Sequence, residues 1–397
     1  MARAVSRVYL SPGMFGFARL ASFEYFEHLV RAVGDRFAAR GQPVDVRVCE
    51  VHPTASIRRR AVKLATMIAE TAGDDGGAIH ILGHSTGGLD ARLVASPSVS
   101  LAASGAPPRL AWVDRLRSVT TMNAPHYGTP LASFFATVSG QRLLYGLSAL
   151  TVTALKLGAP PLAATSALVA AMGRVQMGGL DLDVVDRAVE SVVRVLDEAS
   201  SRELRAWLRL LRDDQGAVVQ LMPEAMDLFQ AGVEDRPGVR YQCVATYAPP
   251  NGVGDWIDAM RSPWRALSAT VFAALYNITA RQDPRYPCAA QDGSGVQKVV
   301  AMLGEAPPAT ASDGIVPLYS QIWGELLWVG KADHLDVVGH FPGRDAHTDW
   351  LASGARFNRV RFEVVTDRIV DGMLEAEAVA DATSAAVLAP ASVGGPA

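Results

Sequence analysis

Ser85 lies between two glycines in the segment IHILGHSTGGLDARLVA, residues 79–95, where a strand pattern meets a helix pattern. A Gly-x-Ser-x-Gly sequence at such a junction is typical of a nucleophile elbow, a turn so tight that the residues two positions from the serine must lack side chains. The following helix would direct its free N–H groups and its positive dipole end at the serine oxygen. We predict that Ser85 is a nucleophile, and we expect His84 to point away from the reacting side.

A serine hydroxyl is a poor nucleophile at neutral pH, so the prediction requires a histidine that acts as a base. Of eight histidines, three follow the last strand pattern: His334, His340 and His347. In folds with this elbow the base comes last along the chain, after the nucleophile and the acid. We predict His334 because it ends the strand pattern ELLWVGKAD, and His340 is the alternative.

The acid that orients the histidine should lie before His334 in the chain. The motif SDGIVP places Asp313 at a turn before a short apolar run, and Asp255 and Asp292 are alternatives. The acid holds one tautomer of the imidazole and stabilises the imidazolium that forms, without needing to accept the proton.

An oxyanion hole needs two backbone N–H groups directed at the developing negative charge. One candidate is Thr86, the residue after the nucleophile. The other is Met14, in the loop LSPGMFGF that follows the first strand pattern, where Gly13 lets the backbone turn.

The elements that would position these residues alternate between strand and helix patterns. Strand patterns occur in RVYLS, VDVRVCEV, AIHILGHS and LRSVTTMNAP, and they return in VRYQCVATYAP and GELLWVGKADH. Amphipathic helix patterns separate the early strands. This alternation predicts an α/β fold with a mostly parallel central sheet, right-handed crossovers and flanking helices.

The alternation stops at a long helical segment, which divides the chain. We expect residues 1–132 and 231–375 to form the core, and residues 133–230 to form a helical cap or lid. The alternative is that these helices belong to the core. Residues 376–397 are Ala-rich and of low complexity, and we expect them to be disordered.

Composition excludes several classes of function and partner. A net charge of −3 over 397 residues without a basic block gives no reason to expect a nucleic-acid partner. Three scattered cysteines are too few for a disulfide framework or a zinc site, although one disulfide stays open. No signal-peptide pattern is visible at the start, so we expect a cytoplasmic protein, with a secreted mature form as the alternative.

Together these motifs resemble the bacterial triacylglycerol lipases of the α/β-hydrolase fold. The resemblance covers islands within residues 6–350: GHSTGG, NAPHYGTPLA, LMPEAMDLF, SDGIVP and DHLD. The sequence departs from the lipase pattern in several places. Ser11-Pro12-Gly13 stands in place of His-Gly-(Leu/Met) in the loop after the first strand, and Ser312 replaces an asparagine before the acid.

The resemblance implies a serine carboxylic-ester hydrolase that cleaves medium-to-long acyl esters through an acyl-enzyme. An intracellular polyester depolymerase, a thioesterase or an acyltransferase could use the same triad, and a hydrolase scaffold used for binding is the non-enzymatic alternative. The expected partner is an apolar acyl ester, presented singly or at a lipid or micelle interface. The oligomeric state stays open.

The resemblance also implies that calcium is the one cofactor to consider. Lipases of this kind often hold a structural calcium through an aspartate two residues after the catalytic histidine, which matches Asp336, and through an earlier aspartate, here Asp292. His340 replaces a glutamine ligand, and an imidazole is a poor ligand for a hard cation.

Overall fold

The structure is a computed structural model in which most of the chain is described. The described residues are 4–14, 25–52, 54–101, 112–137, 140–141, 144–146, 190, 194, 197–260, 263–342, 349 and 351–388.

The centre of the described protein is a six-stranded sheet in which every pair of neighbouring strands is parallel. Its order is β2-β1-β3-β4-β5-β6, and each predicted strand pattern is found. The strands are β1 Ser6–Ser11, β2 Val44–Val48, β3 Ile79–His84, β4 Leu116–Met122, β5 Arg240–Tyr247 and β6 Glu325–Lys331. The predicted α/β class is therefore confirmed.

Helices connect and cover these strands. They are α1 Glu27–Ala39, α2 Ile57–Thr71, α3 Thr86–Ala95, α4 Pro130–Phe135, α5 Glu198–Asp213, α6 Gly216–Gln220, α7 Pro223–Gly232, α8 Val253–Ala259, α9 Pro263–Thr279, α10 Ser294–Leu303 and α11 Arg359–Leu388. Within the described chain, no helix is both long and apolar enough to cross a membrane. The three cysteines are buried free thiols.

Alternation along β1 shows how the sheet buries both faces. Val8 and Leu10 pack with residues of α1 and α11 on one side. Tyr9 packs with residues of α2 and α3 on the other. Successive side chains of a strand point to opposite faces, so this arrangement requires apolar residues at nearly every position. The result is a three-layer core with helices on both sides of the sheet.

The strand order reverses direction at β1. The chain passes from β1 outward to β2 and then returns to β3 on the other side of β1. At the carboxyl edge Ser11 is aligned with Gly83, so the loops after β1 and β3 leave the sheet side by side and diverge. Such a switch point is where open parallel sheets form ligand crevices. The fold therefore brings the predicted oxyanion loop next to the predicted nucleophile.

An apolar cluster lies around the residues that follow these strands, and the 133–230 segment contributes to it. Leu204 and Leu211 of α5 are buried there with Phe272 of α9 and Ile315. The stretch between β5 and Asp313 shows no clear pattern in the sequence, yet it contains α8, α9 and α10.

Much of the predicted cap at 133–230, including Leu147 and Leu150, lies outside the described residues. The cap therefore stays a prediction.

The expectation of a disordered tail from residue 376 is wrong for its first part, because α11 continues to Leu388. Alanine has the highest intrinsic helix propensity, so the composition that suggests low complexity also favours a helix. Tertiary contacts hold the extension, since Ala376 is buried and Glu377 is hydrogen bonded to the sheet. Residues 389–397 lie outside the described chain.

Glu377 joins α11 to three strands. Its Oε1 accepts hydrogen bonds from Ser6 Oγ at 2.7 Å and from His80 Nε2 at 2.9 Å. The other ring nitrogen of His80 lies 2.8 Å from Ser118 Oγ. His80 is fully buried, as its position in the elbow strand predicts. This network ties the last helix to the amino-terminal edge of the sheet.

We expect Glu377→Gln to lower the free energy of unfolding at pH 7 by about 1.5–3 kcal/mol, the range for a hydrogen bond to a charged group. Burial opposes ionisation, but the hydrogen bond and charge of His80 lower the pKa of Glu377 below its ordinary value. A lowered folded pKa gives stability that is present above the unfolded pKa, about 4.3, and lost as the pH falls through the folded value. Urea denaturation from pH 3 to 8 should show the difference between the two proteins shrinking below about pH 4.

Glu363→Gln is the control on the same helix, since the Glu363 side chain is in an exposed pair with Arg359. Its effect should stay below about 0.5 kcal/mol. Equal effects of the two variants would contradict the role of Glu377.

Candidate active site

Ser85 occupies the predicted elbow between β3 and α3, in a strained backbone conformation. Its φ of 55° and ψ of −128° lie where a non-glycine residue is uncommon. A Cβ on Gly83 would overlap the carbonyl oxygen of Gly87, and a Cβ on Gly87 would overlap that of Ser11. The turn is held by a hydrogen bond of 2.8 Å from the Ser85 N–H to the Met122 carbonyl. Close backbone packing therefore imposes the strain at the serine.

The loop after β1 lies directly against the serine. A Cβ on Gly13 would come within 2.7 Å of Ser85 Cβ and 3.1 Å of Ser85 Oγ, so only glycine fits. Met14 and Thr86 both border the cavity that Ser85 lines. Thr86 is the first residue of α3, and an N–H at this position has no partner within its own helix. The residues predicted for the oxyanion hole thus lie on two sides of Ser85.

A buried ion pair fixes this loop. Arg60 of α2 and Asp90 of α3 are paired at 2.8 Å, and both side chains are fully buried. Ser11 Oγ donates to Asp90 Oδ2 at 2.8 Å, and Arg60 Nη2 donates to the Pro12 carbonyl. Ser11 and Pro12, where the sequence departs from the lipase pattern, are both anchored by the pair.

His334 and Asp313 are brought together as predicted. His334 Nδ1 lies 2.7 Å from Asp313 Oδ2, and both side chains are almost completely buried. Asp313 Oδ1 accepts the N–H groups of Ile315 and Val316 at 2.8 and 2.7 Å. An ionised carboxylate only accepts hydrogen bonds, so Nδ1 of the ring carries a proton, and in the neutral ring Nε2 then has the lone pair. The imidazole is therefore held in the tautomer that a general base requires.

Gln321 is a second support of Asp313 that no sequence signal indicated. Its Nε2 lies 3.3 Å from Asp313 Oδ2 and also donates to the carbonyls of Thr246 and Val316 at 3.0 Å. Its Oε1 accepts the Thr246 N–H at 2.7 Å. A buried amide satisfied in this way holds the acid loop against β5.

His84 departs from expectation. It does not point away, because its ring centroid lies 4.7 Å from that of His334. Its Nε2 is 2.8 Å from the His334 carbonyl oxygen. Ser85 and His334 themselves share no hydrogen bond in the described structure. His334 is held near the elbow by Asp313 of the acid loop and by His84.

The alternative acids and bases lie in other environments. His340 Nε2 contacts the Tyr25 carbonyl at 3.0 Å, and His347 lies outside the described residues. Asp255 Oδ2 accepts the Gly252 N–H at the start of α8. Among the described residues, neither His340 nor Asp255 is hydrogen bonded to the side chain of Asp313 or of His334.

Asp292 and Asp336, the residues considered for calcium, are held in two different turns, and the calcium site stays a prediction. The Asp292 carboxylate accepts the Ser294 N–H at the start of α10, and its side chain is exposed. Asp336 is buried and accepts the Asp333 N–H at 2.8 Å, in the turn that carries His334. Among the described residues there is no group of three or more His, Cys, Asp or Glu side chains arranged to hold a metal ion. We therefore derive no step through calcium.

A small apolar cavity, partly open to solvent, adjoins Ser85. Its walls come from the loop and helix after β4, from the end of α6, from the acid loop and from the oxyanion loop. They are Met14, Thr86, Pro125, Thr129, Leu131, Ala132, Phe135, Leu221, Ile315 and Val316. None of the described residues that line this cavity is charged, so the lining suits an apolar group next to the serine oxygen.

Comparison with known proteins gives a likeness of fold. No protein-family model and no curated protein matches the sequence. EstA from Clostridium botulinum is 17% identical over 89% of this chain and 87% of that chain, with a TM-score of 0.50. Lipase 1 from Pelosinus fermentans is 16% identical over 88% and 97%, with a TM-score of 0.48. Staphylococcus hyicus lipase is 14% identical over 95% and 98%, with a TM-score of 0.45.

The fold of this protein is α/β-hydrolase-like. This conclusion rests on the similarity to EstA, which extends over most of both chains. The expected resemblance to bacterial lipases and esterases is confirmed at the level of fold, and at these identities it says nothing about individual residues.

We expect Asp90→Leu to lower the free energy of unfolding by about 3–5 kcal/mol, because it leaves the buried Arg60 charge unpaired. The double variant Arg60→Met/Asp90→Leu should be more stable than Asp90→Leu alone, since no uncompensated charge remains. Urea denaturation of the three proteins measures both effects.

Glu27→Gln is the control, since the Glu27–Arg31 pair is exposed, and it should change stability by less than about 1 kcal/mol. A double variant less stable than Asp90→Leu would show that the charged pair itself stabilises the fold.

Proposed function

We propose that this protein is a serine carboxylic-ester hydrolase of the lipase and esterase type. In this proposal Ser85 is the nucleophile, His334 the general base and Asp313 the acid. The observation that carries the proposal is the 2.7 Å contact of His334 Nδ1 with Asp313, in a chain where His334 also packs against His84, the residue directly before an elbow serine with φ of 55°. The α/β-hydrolase-like fold supports it independently.

Acylation follows from the protonation states of these groups. Ser85 Oγ attacks the ester carbonyl carbon while His334 Nε2 takes the hydroxyl proton. The charge on the resulting imidazolium is stabilised by Asp313, and the charge on the carbonyl oxygen by the N–H groups of Met14 and Thr86. When the tetrahedral intermediate collapses, the bond to the alkoxy oxygen breaks and the imidazolium proton passes to that oxygen. The alcohol leaves and the acyl group remains on Ser85.

Deacylation repeats the same steps with water as the nucleophile. His334 takes a proton from water, the hydroxide oxygen attacks the acyl carbon, and the proton returns to Ser85 Oγ as the acid leaves. An acceptor alcohol in place of water would give acyl transfer through the same groups. The rate with and without an added alcohol therefore distinguishes hydrolysis from transfer.

The apolar cavity supports an uncharged acyl chain as the group that enters next to Ser85. Burying one CH₂ group contributes about 0.8 kcal/mol, so an apolar wall favours longer chains until the space is filled. We propose medium-to-long acyl esters as substrates, presented singly or at a lipid or micelle surface. The cap at 133–230 belongs to this proposal as the element that would cover the chain.

We expect Ser85→Ala to remove hydrolysis of p-nitrophenyl esters by several orders of magnitude without unfolding the protein, and His334→Ala to be nearly as damaging, because the triad acts as a unit. Asp313→Asn should also lower kcat strongly, since it disturbs the ring tautomer. The measurements are kcat and KM, with circular dichroism as the check on folding.

His340→Gln and Asp292→Asn are matched controls that should keep wild-type kcat. A serine-directed phosphonate should label the wild type and not Ser85→Ala. Labelling that persists in that variant, or full activity of Asp313→Asn beside an inactive Asp292→Asn, would contradict the assignment.

The cavity wall gives a second prediction. Ala132 is buried on α4 and lines the cavity, so Ala132→Leu should shorten the space for the acyl chain. Loss of contacts to two CH₂ groups costs about 1.6 kcal/mol of binding free energy. The variant should therefore lower the ratio of kcat/KM for octanoate esters to kcat/KM for acetate esters by about tenfold. A chain-length series on the wild type and the variant measures it, with Ala38→Leu on the exposed face of α1 as control. Equal losses on acetate and octanoate would sink the assignment of this cavity to the acyl chain.

A further inference from the structure

His84 contacts the backbone of the proposed general base rather than its side chain. Its Nε2 lies 2.8 Å from the carbonyl oxygen of His334, and Asn123 Nδ2 is 3.5 Å from the same oxygen. The His334 N–H donates to the Asp313 carbonyl at 3.0 Å. Both peptide groups of His334 are therefore fixed, one by the acid loop and the other by the residue directly before Ser85.

The tautomer of His84 follows from its partners. A carbonyl oxygen only accepts hydrogen bonds, so Nε2 of His84 must carry a proton. In a neutral ring Nδ1 is then an acceptor, and it receives the hydroxyl of Tyr25 at 2.6 Å. The Tyr25 carbonyl is in turn contacted by His340 Nε2 at 3.0 Å. Tyr25 thus favours the form of His84 that can donate to His334.

The charge state of His84 suits its place beside a ring that becomes positive during catalysis. Burial lowers the pKa of His84 well below its ordinary value, and the neighbouring His334 and His340 lower it further. The other groups in contact with it, Tyr25 and the carbonyl of His334, are uncharged, and burial raises the pKa of Tyr25. His84 therefore stays neutral and does not repel the imidazolium of His334.

We propose that His84 is a positioning residue for the general base. Its Nε2–H holds the carbonyl of His334, with Tyr25 fixing its tautomer, so that the imidazole of His334 is kept in place beside the strained serine. This inference rests on the proposed function, because it assigns His334 the role of base. Because His84 directly precedes Ser85, its hydrogen bond to His334 links the backbone of the nucleophile to that of the base, although the two are far apart in sequence.

The test compares variants of His84 on a soluble p-nitrophenyl butyrate. His84→Leu keeps an apolar volume but loses the donor, and a misplacement of the base by about 1 Å can cost up to about a hundredfold in rate. We expect a kcat loss of that order, a KM within about threefold of wild type, and a displaced pH–kcat profile. His84→Gln places an amide donor near the position of Nε2 and should recover most of the lost kcat.

His80→Leu is the matched control. His80 is a buried histidine on the same strand whose contacts, Ser118 and Glu377, lie at the other edge of the sheet. It should lower the thermal unfolding temperature and leave kcat and the pH profile unchanged. Equal kcat for His84→Leu and wild type, or a Gln variant no better than Leu, would overturn the proposal. If Ser85→Ala retained hydrolysis, the proposed function would fail instead.

A measurement on the unsubstituted protein keeps the proposal testable if His84→Leu does not fold. In protein labelled with ¹⁵N-histidine, the His84 ring at pH 7 should show a protonated Nε2 and an unprotonated Nδ1. The spectrum of His84→Gln identifies the signal by its absence. A His84 that carries its proton on Nδ1, or on both nitrogens, would overturn the proposal.

Discussion

The arrangement at the carboxyl edge of the sheet depends on one buried charged pair, Arg60 with Asp90. The pair joins α2 to the elbow helix α3, and through Ser11 and Pro12 it holds the loop that lies against Ser85. Removing two charges from water is costly, and burial raises the pKa of Asp90 although Arg60 opposes this shift. Hydrogen bonds to Ser11, Pro12 and His52 offset the cost only in this arrangement. The pair therefore acts less as a source of stability than as a constraint that admits one position of the loop.

Residues whose environment follows from local sequence could be predicted. The six strands follow from apolar runs, and the position of Ser85 follows from its glycines, because both depend on neighbours within a few residues. Asp313 was found by chain order and its turn motif, and His334 by the strand end that it follows. Their pairing needed the fold, because Asp313 lies in a long connection between β5 and β6. The sequence could not indicate Gln321, because a polar residue in a short turn carries no sign of what it contacts.

His84 shows how a prediction failed although the information was present. Leu82 belongs to the cluster on the α1 side of the sheet, and side chains two apart in a strand share a face. His84 therefore points to the face of the sheet on which the segment after β6 lies. Its partner, the carbonyl of His334, belongs to that segment and can be identified only once the fold is known. The start of the tail was misplaced for a related reason. Its composition was judged alone, whereas Glu377 is held by Ser6 and His80, both remote in sequence.

The pairing of β4 with β5 has a consequence for folding and for divergence. These strands are adjacent in the sheet, yet roughly a hundred residues separate them in the chain. The entropy of closing such a loop grows only with the logarithm of its length, so doubling or halving the insertion changes stability by about 0.6 kcal/mol. The length of the segment between β4 and β5 can therefore change during evolution while the register of the sheet, and with it the spacing of serine, acid and base, is preserved. The cost falls on kinetics, because contacts so distant in sequence form slowly. Until they pair, the edges of β4 and β5 expose backbone N–H and C=O groups that can pair with strands of other chains.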